Sequence, residues 1–193
     1  MSKLYFHYGA MGAGKSLELI KVAYNYSERG KSVLIFNSAL DTRFKQGEVS
    51  SRSGSSMPSI TFNELTDFFK TIEDLDLMPD CILIDESQFL TKNQVNDCGR
   101  IVTKLNIPVM CYGLRTDFLG NLFEGSKRLM ELAQKIEEIK TICWCGCKAT
   151  MNARISNGNM VIIGEQIEIG ENDKYISLCL KHYSENNIGN SIT

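Results

Sequence analysis

The chain has 193 residues, 43% of them hydrophobic and 23% charged. A globular chain of this length buries roughly 70% of its unfolded surface around one sizeable core, which excludes disorder as the main state. Its 21 basic and 23 acidic residues leave a net charge of −2, which lacks the basic footprint of a general duplex binder, and no apolar run reaches the roughly 18–20 residues of a membrane span.

The opening MSKLYFHYGAMGAGKS lacks the charged-then-apolar layout of a signal peptide, so a soluble, cytoplasmic protein with neither nucleic acid nor membrane as partner is expected. Leu4–Tyr8 reads as a short buried strand that runs into a glycine-rich turn. A helix follows over Ser16–Arg29, with Leu19, Ile20, Ala23 and Tyr24 at helical spacing and Gly30 placed to end it. Ser32–Asn37 is a second buried strand. Residues 41–58 are polar, rich in Ser and Gly and without a periodic apolar face, and read as a long mobile loop. Asn63 is placed to cap a helix carrying Leu65, Phe68, Phe69 and Ile72. Cys81–Asp85 is a third strand, continuously apolar as in a parallel sheet covered on both faces. Thr91 and Gln94 form a capping box for a helix with Val95, Cys98, Ile101, Val102 and Leu105 inward. Ile107–Tyr112 is a fourth strand, and Ser126 opens a helix with Leu129, Leu132 and Ala133.

This alternation predicts an α/β fold with a mainly parallel sheet flanked by helices over residues 1–140. Beyond that the texture changes: residues 141–193 read as a small metal-held subdomain with β pieces at Met160–Ile163, Gln166–Ile169 and Tyr175–Leu178.

Gly9-Ala10-Met11-Gly12-Ala13-Gly14-Lys15-Ser16 matches G-x-x-x-x-G-K-[ST], the phosphate loop of nucleotide-binding proteins. Its glycines let backbone N–H groups wrap phosphates at a helix N-terminus. Lys15 would reach the β- and γ-phosphates, and the Ser16 hydroxyl would bind Mg²⁺. Asp85 at the end of the third strand is the expected second anchor for Mg²⁺, and Glu86 is placed to accept a proton from an attacking hydroxyl or water. Phosphoryl transfer from, or hydrolysis of, a nucleoside triphosphate is therefore the expected chemistry.

Seven cysteines without a secretory signal point to metal rather than disulfides. Cys143, Cys145 and Cys147 crowd into five residues, and Cys179-x-x-His182 has ordinary zinc spacing. Five donors compete for four places, and spacing leaves both Cys143/Cys145 and Cys145/Cys147 open as the first pair. Four protein ligands would make the zinc structural, because a catalytic zinc keeps a position for water. Cys81, Cys98 and Cys111 read as buried fillers, and His7 as structural rather than a ligand.

Residues 7–19 (HYGAMGAGKSLEL), Asp41-Thr-Arg43, Asp85-Glu-Ser-Gln-Phe89, Tyr112-Gly-Leu114 with Asp117-Phe118, and the cysteine-bearing tail together resemble the type II thymidine kinases, the bacterial branch most. The resemblance runs from the first strand to about residue 184. It implies a P-loop fold with a zinc-binding lasso subdomain, and transfer of the γ-phosphate of MgATP to the 5′-hydroxyl of thymidine, giving dTMP for DNA-precursor salvage. Glu86 falls at the family's catalytic base, and Asp85 and Gln88 lie beside the phosphates. Met11, Phe89, Phe118 and Phe123 match positions around the pyrimidine, core packing being the alternative for each Phe, and Tyr175 matches the tyrosine that contacts the nucleoside. The resemblance assigns Cys143 with Cys145, Cys179 and His182 to zinc. A lasso over roughly Ile155–Asp173 would hold the base through backbone hydrogen bonds. Asp41 and Arg43 match a motif near the phosphates, and Arg52 lies in the loop that the family usually keeps mobile. A homotetramer inhibited by dTTP is also implied. Two other readings compete: a partner-driven phosphate-loop ATPase, and a nucleotide-binding zinc-ribbon protein without turnover.

Overall fold

The structure is a computed structural model that describes residues 1–41, 46–166 and 174–189. Its centre is a six-stranded parallel sheet. In chain order its strands are β1 (Leu4–Tyr8), β2 (Val33–Ser38), β5 (Ile60–Phe62), β6 (Cys81–Ile84), β7 (Val109–Gly113) and β8 (Lys135–Glu138), arranged in space as β5-β2-β6-β7-β1-β8.

Both faces of the sheet are covered at its centre, which is why β6 and β7 are continuously apolar. Along β6, Ile82 and Ile84 point into one apolar layer with Leu4, Phe6, Phe36 and Phe62, while Cys81 and Leu83 point into the other with Leu19, Ala23 and Tyr112. The first layer is closed by α2 (Phe68–Glu73), α3 (Lys92–Arg100, continued by a wide π-turn over Ile101–Leu105) and α4 (Glu124–Leu132). The second is closed by α1 (Lys15–Ser27). Cys81, Cys98 and Cys111 are fully buried in these layers, as fillers.

The capping box of α3 is present on both sides: Thr91 accepts from Gln94 N–H, and the Gln94 side chain accepts from Thr91 N–H. Elsewhere the structure differs from the sequence expectation for physical reasons. Residues 48–58 form an antiparallel hairpin, β3 (Glu48–Ser50) with β4 (Ser56–Pro58), held down by the buried Val49; one anchoring side chain is too little to give a periodic signal. Thr42–Lys45, the rest of that expected loop apart from Asp41 and its neighbours, lie outside the described residues. Asn63 does not cap α2. It closes a turn by accepting from Leu65 N–H, leaving Leu65 exposed, and Asp67 caps the helix by accepting from Lys70 N–H. α4 starts at Glu124, two residues before the expected Ser126, whose hydroxyl is instead buried and donates to Leu114 C=O. β8, the sheet's edge strand, was hidden because its exposed, charged sequence KIEE carries no apolar pattern.

The C-terminal part holds a short antiparallel pair, β9 (Thr141–Ile142) with β10 (Lys148–Ala149), and a three-stranded antiparallel sheet of β12 (Asn159–Met160), β11 (Met151–Ser156) and β13 (Lys174–Leu178). One turn of helix, α5 (Leu180–Ser184), follows. Of the strand expected over Gln166–Ile169, residues 167–169 lie outside the described residues, and Gln166 is in a bend. Among the described residues no helix is long and apolar enough to cross a membrane.

Because side chains alternate along a strand, the β11–β13 pair has two distinct faces. Ala153, Ile155 and Leu178 pack on one face with Cys143, Ala149 and Cys179. Asn152 and Arg154 of β11, with their cross-strand partners Ser177 and Tyr175 of β13, lie on the other. Asn152 and Arg154 are buried although polar, because this second face is turned toward the loops of the main sheet.

Candidate active site

β6, β7 and β1 are neighbours in the parallel sheet, so their carboxyl ends lie along one edge, the usual ligand edge of an open α/β sheet. β1 runs into the glycine-rich turn Gly9–Gly14. Gly14, at φ 83°, caps α1 with a left-handed backbone that only glycine adopts without strain. No side chain caps the helix start, so its first N–H groups are left for a ligand or water. Lys15 is buried against the turn, and its Nζ donates to the carbonyls of Gly9 (3.3 Å) and Ala10 (3.0 Å). Arg52, in the β3–β4 hairpin, places Nη1 3.8 Å from where a β-carbon on Gly12 would sit, so a second cation stands over the turn.

Asp85 and Glu86 follow β6. The Asp85 carboxylate is buried: Oδ1 accepts from Glu86 N–H at 3.0 Å, and the Ser16 hydroxyl also hydrogen-bonds to it. Its Oδ2 is buried with no protein partner. Burial, then the adjacent Glu86 charge, push this carboxyl up to about 7 against the opposing hydrogen bond from Ser16. An orphaned carboxylate oxygen beside a serine hydroxyl offers the hard oxygen donors that a magnesium ion takes.

Glu86 is a non-glycine residue at φ 50°, ψ 38°, a left-handed conformation costing on the order of 1–3 kcal/mol and concentrated at functional sites. Gln88, on the turn of 3-10 helix over Ser87–Phe89, orients its carboxylate: Nε2 donates to Glu86 Oε2 at 2.5 Å, and Oε1 accepts from Leu114 N–H at 3.0 Å. Gly113, ending β7, makes room for this arrangement. A β-carbon there would lie 2.6 Å from Ser87 Oγ and 2.8 Å from Gln88 Oε1.

The second half of the site joins the loop after β7 to the C-terminal sheet. Phe118 is buried beneath the Arg154 guanidinium, 3.9 Å from its ring centroid. Tyr175 is the cross-strand partner of Arg154, and Tyr183 donates its hydroxyl to Phe118 C=O at 2.7 Å. Asp117 accepts from Leu119 and Asn121 N–H through Oδ1 and from Gln166 Nε2 through Oδ2 at 2.8 Å. Phe89 and Phe123 meet edge-on, with centroids 5.9 Å apart.

Cys143, Cys145, Cys179 and His182 bring their donor atoms within 4.8 Å of one another. Nδ1 of His182 is 3.4 Å from the sulfurs of both Cys143 and Cys179, and the sulfurs of Cys145 and Cys179 are 4.0 Å apart. A tetrahedral zinc with bonds of ~2.3 Å to sulfur and ~2.0 Å to nitrogen separates its donors by roughly 3.5–3.8 Å, so this set fits the ion. Burial raises the Cys143 thiol, but the N–H groups of Cys145 and Cys179 and the His182 ring outweigh it and bring the thiol down to about 6, toward the thiolate a metal binds. Cys147 is exposed and outside this group of four; its carbonyl accepts from Cys143 N–H and closes the turn between them.

The family model for thymidine kinase matches residues 2–183. The chain belongs to the thymidine kinase family. It is similar to the thymidine kinase of Streptococcus pyogenes serotype M3 (strain ATCC BAA-595 / MGAS315), with 54% identity over 95% of this chain and 97% of that one. To the enzyme of Zymomonas mobilis subsp. mobilis it is 50% identical over 96% and 97% of the two chains, and to that of Lactococcus lactis subsp. lactis 52% over 95% and 97%.

Within this thymidine kinase fold, the residues expected around phosphate, Gly9 to Ser16 with Asp85 and Gln88, and the expected base Glu86 gather at one edge, while Phe118 lies under Arg154 and Tyr175 is the cross-strand partner of Arg154. Phe89 and Phe123 form a separate pair beside the turn that carries Gln88. Asp41 accepts from Asn37 Nδ2 at 3.4 Å just past β2; Arg43 lies outside the described residues, as do residues 167–173 of the expected lasso. His7 stacks on Tyr112 at 4.8 Å and faces Glu137, a structural setting. Sequence reasoning gave no role to Asn152, Arg154, Ser177 or Gln166. Polar residues in a strand and a bend carry no motif, and only the fold turns them toward the site.

Proposed function

We propose that this chain transfers the γ-phosphate of MgATP to the 5′-hydroxyl of thymidine, releasing dTMP and ADP, with residues 1–140 binding ATP and residues 141–193 forming a zinc-held lasso subdomain over the nucleoside. The observation that carries the chemistry is Glu86: strained, buried at the ligand edge, and oriented by Gln88.

In this reading the Gly9–Gly14 amides and the start of α1 cradle the phosphates, and Lys15 leaves the Gly9 and Ala10 carbonyls for the β- and γ-phosphates. Ser16 and Asp85 would hold the magnesium ion, which would supply charge neutralisation for the phosphates. Glu86 accepts the proton of the thymidine 5′-hydroxyl as its oxygen attacks the γ-phosphorus. Met11, Phe89, Phe118 and Phe123 surround the pyrimidine and Tyr175 contacts the nucleoside. Cys143, Cys145, Cys179 and His182 would hold a zinc ion, and four protein ligands would make its role structural. Family membership supports extending the proposal to a cytoplasmic homotetramer inhibited by dTTP.

The test is incubation of the purified chain with labelled ATP and a panel of nucleosides, with and without DNA. Label should pass to thymidine. Hydrolysis stimulated by DNA and indifferent to nucleosides would overturn the reading. Glu86→Gln should retain ATP binding and lose roughly 10²–10⁴-fold in kcat; undiminished turnover would remove Glu86 as the base.

A further inference from the structure

The glycine-rich turn is gripped at Met11 by the C-terminal sheet. Met11 N–H donates to Asn152 Oδ1 at 2.8 Å, and the Ser177 hydroxyl donates to Met11 C=O. Asn152 and Ser177 are cross-strand partners in the β11–β13 ladder, so one rung of that ladder holds both polar groups of a single loop residue. The rung is itself anchored, because Asn152 Nδ2 donates to Thr116 C=O at 2.9 Å in the loop after β7. Asn152 is only 2% exposed and its bond to Thr116 is buried, so water does not compete there, while the two bonds to Met11 are partly buried.

The next rung on the same face is Arg154 with Tyr175, and Arg154 covers Phe118. The strand pair thus carries, on adjoining rungs, the grip on the glycine-rich turn and Tyr175, one of the proposed nucleoside residues, with a second, Phe118, packed under Arg154. In the functional reading above Lys15 exchanges the turn's own carbonyls for phosphate, while residue 11 of the same turn stays tied to the C-terminal sheet.

We propose that Asn152 and Ser177 are positioning residues that couple the two substrate sites, so that a nucleoside seated on the β11–β13 face sets the conformation, and hence the nucleotide affinity, of the Gly9–Gly14 turn. This rests on the functional reading above. The coupling is a free energy shared by the two sites, so it is reciprocal and measurable from either ligand.

The experiment uses the full zinc-loaded chain and measures by calorimetry the Kd of a non-hydrolysable MgATP analogue with and without saturating thymidine. In the wild type the two values should differ by about fivefold or more. Ser177→Ala should bring their ratio close to one and lower kcat, while the Kd of thymidine alone shifts less than about twofold. Ser177→Thr, which keeps the hydroxyl, should restore the ratio; a purely structural role would move the melting temperature without this split. If Ser177→Ala fails to fold, Ser177→Cys, near-isosteric with a weaker donor, must give an intermediate ratio. A wild-type ratio of one, or an unchanged ratio in a folded Ser177→Ala or Ser177→Cys, overturns the proposal. A wild type that forms no dTMP from labelled ATP overturns the functional reading instead, and the two failures are thereby distinct.

Discussion

Asp85 is ionised only at a cost while its Oδ2 has no partner. Its folded pKa, about 7, lies above the unfolded value of ~3.9, so the stabilisation of its protonated form is complete below about pH 4 and lost as pH rises through 7. Asp85→Asn is neutral at every pH. It should therefore melt higher than the wild type at pH 8, with the difference vanishing toward pH 4, and it should lose magnesium-dependent turnover. Thermal melts of both proteins across that range check the sign, and a lower melting point for the variant at pH 8 would refute the burial argument. This carboxylate is costly to the empty fold because its geometry suits a cation.

At the scale of elements, the site depends on how closely β7 approaches the turn after β6. Gly113 has an ordinary backbone conformation, and its role is spatial: an added β-carbon would meet Ser87 Oγ, Gln88 Oε1 and Gln88 N, all within 2.9 Å. Gly113→Ala should shift the 87–89 turn, destabilise the fold by roughly 1–3 kcal/mol, and lower kcat by more than about tenfold as Gln88 loses its hold on Glu86. Denaturant titration and steady-state kinetics separate the two effects, and an unaltered kcat would mean that the Gln88 contact does not position Glu86. Tyr112-Gly-Leu114 was visible as a motif in the sequence, but the need for glycine comes from a turn 25 residues earlier in the chain. The β3–β4 hairpin makes the same point, since a single buried Val49 and the reach of Arg52 toward Gly12 leave no periodic trace.

At the scale of the whole molecule, the four metal donors sit behind the face of β11–β13 opposite the one that grips Met11. Removing the zinc by chelation, or substituting Cys179→Ser, should lower the melting temperature by more than about 5 °C and abolish thymidine binding before nucleotide binding. Cys147→Ser should keep one equivalent of zinc; its loss, read by metal analysis, would move the ligand set. The parallel sheet, the glycine-rich turn, Asp85-Glu86 and a cysteine–histidine metal cluster were legible in the sequence because each rests on residues close in the chain: a run of apolar residues, a turn, a dipeptide, two short spacings. The choice of Cys143 over Cys147 came from the family resemblance, not from spacing. Met11 with Asn152 and Ser177, Arg154 over Phe118, and Gly113 against Gln88 were decided only by the tertiary structure. Their partners are up to 166 residues apart. A serine or asparagine in a strand has the same local character whether it faces water or a buried peptide, and only the packed fold determines which.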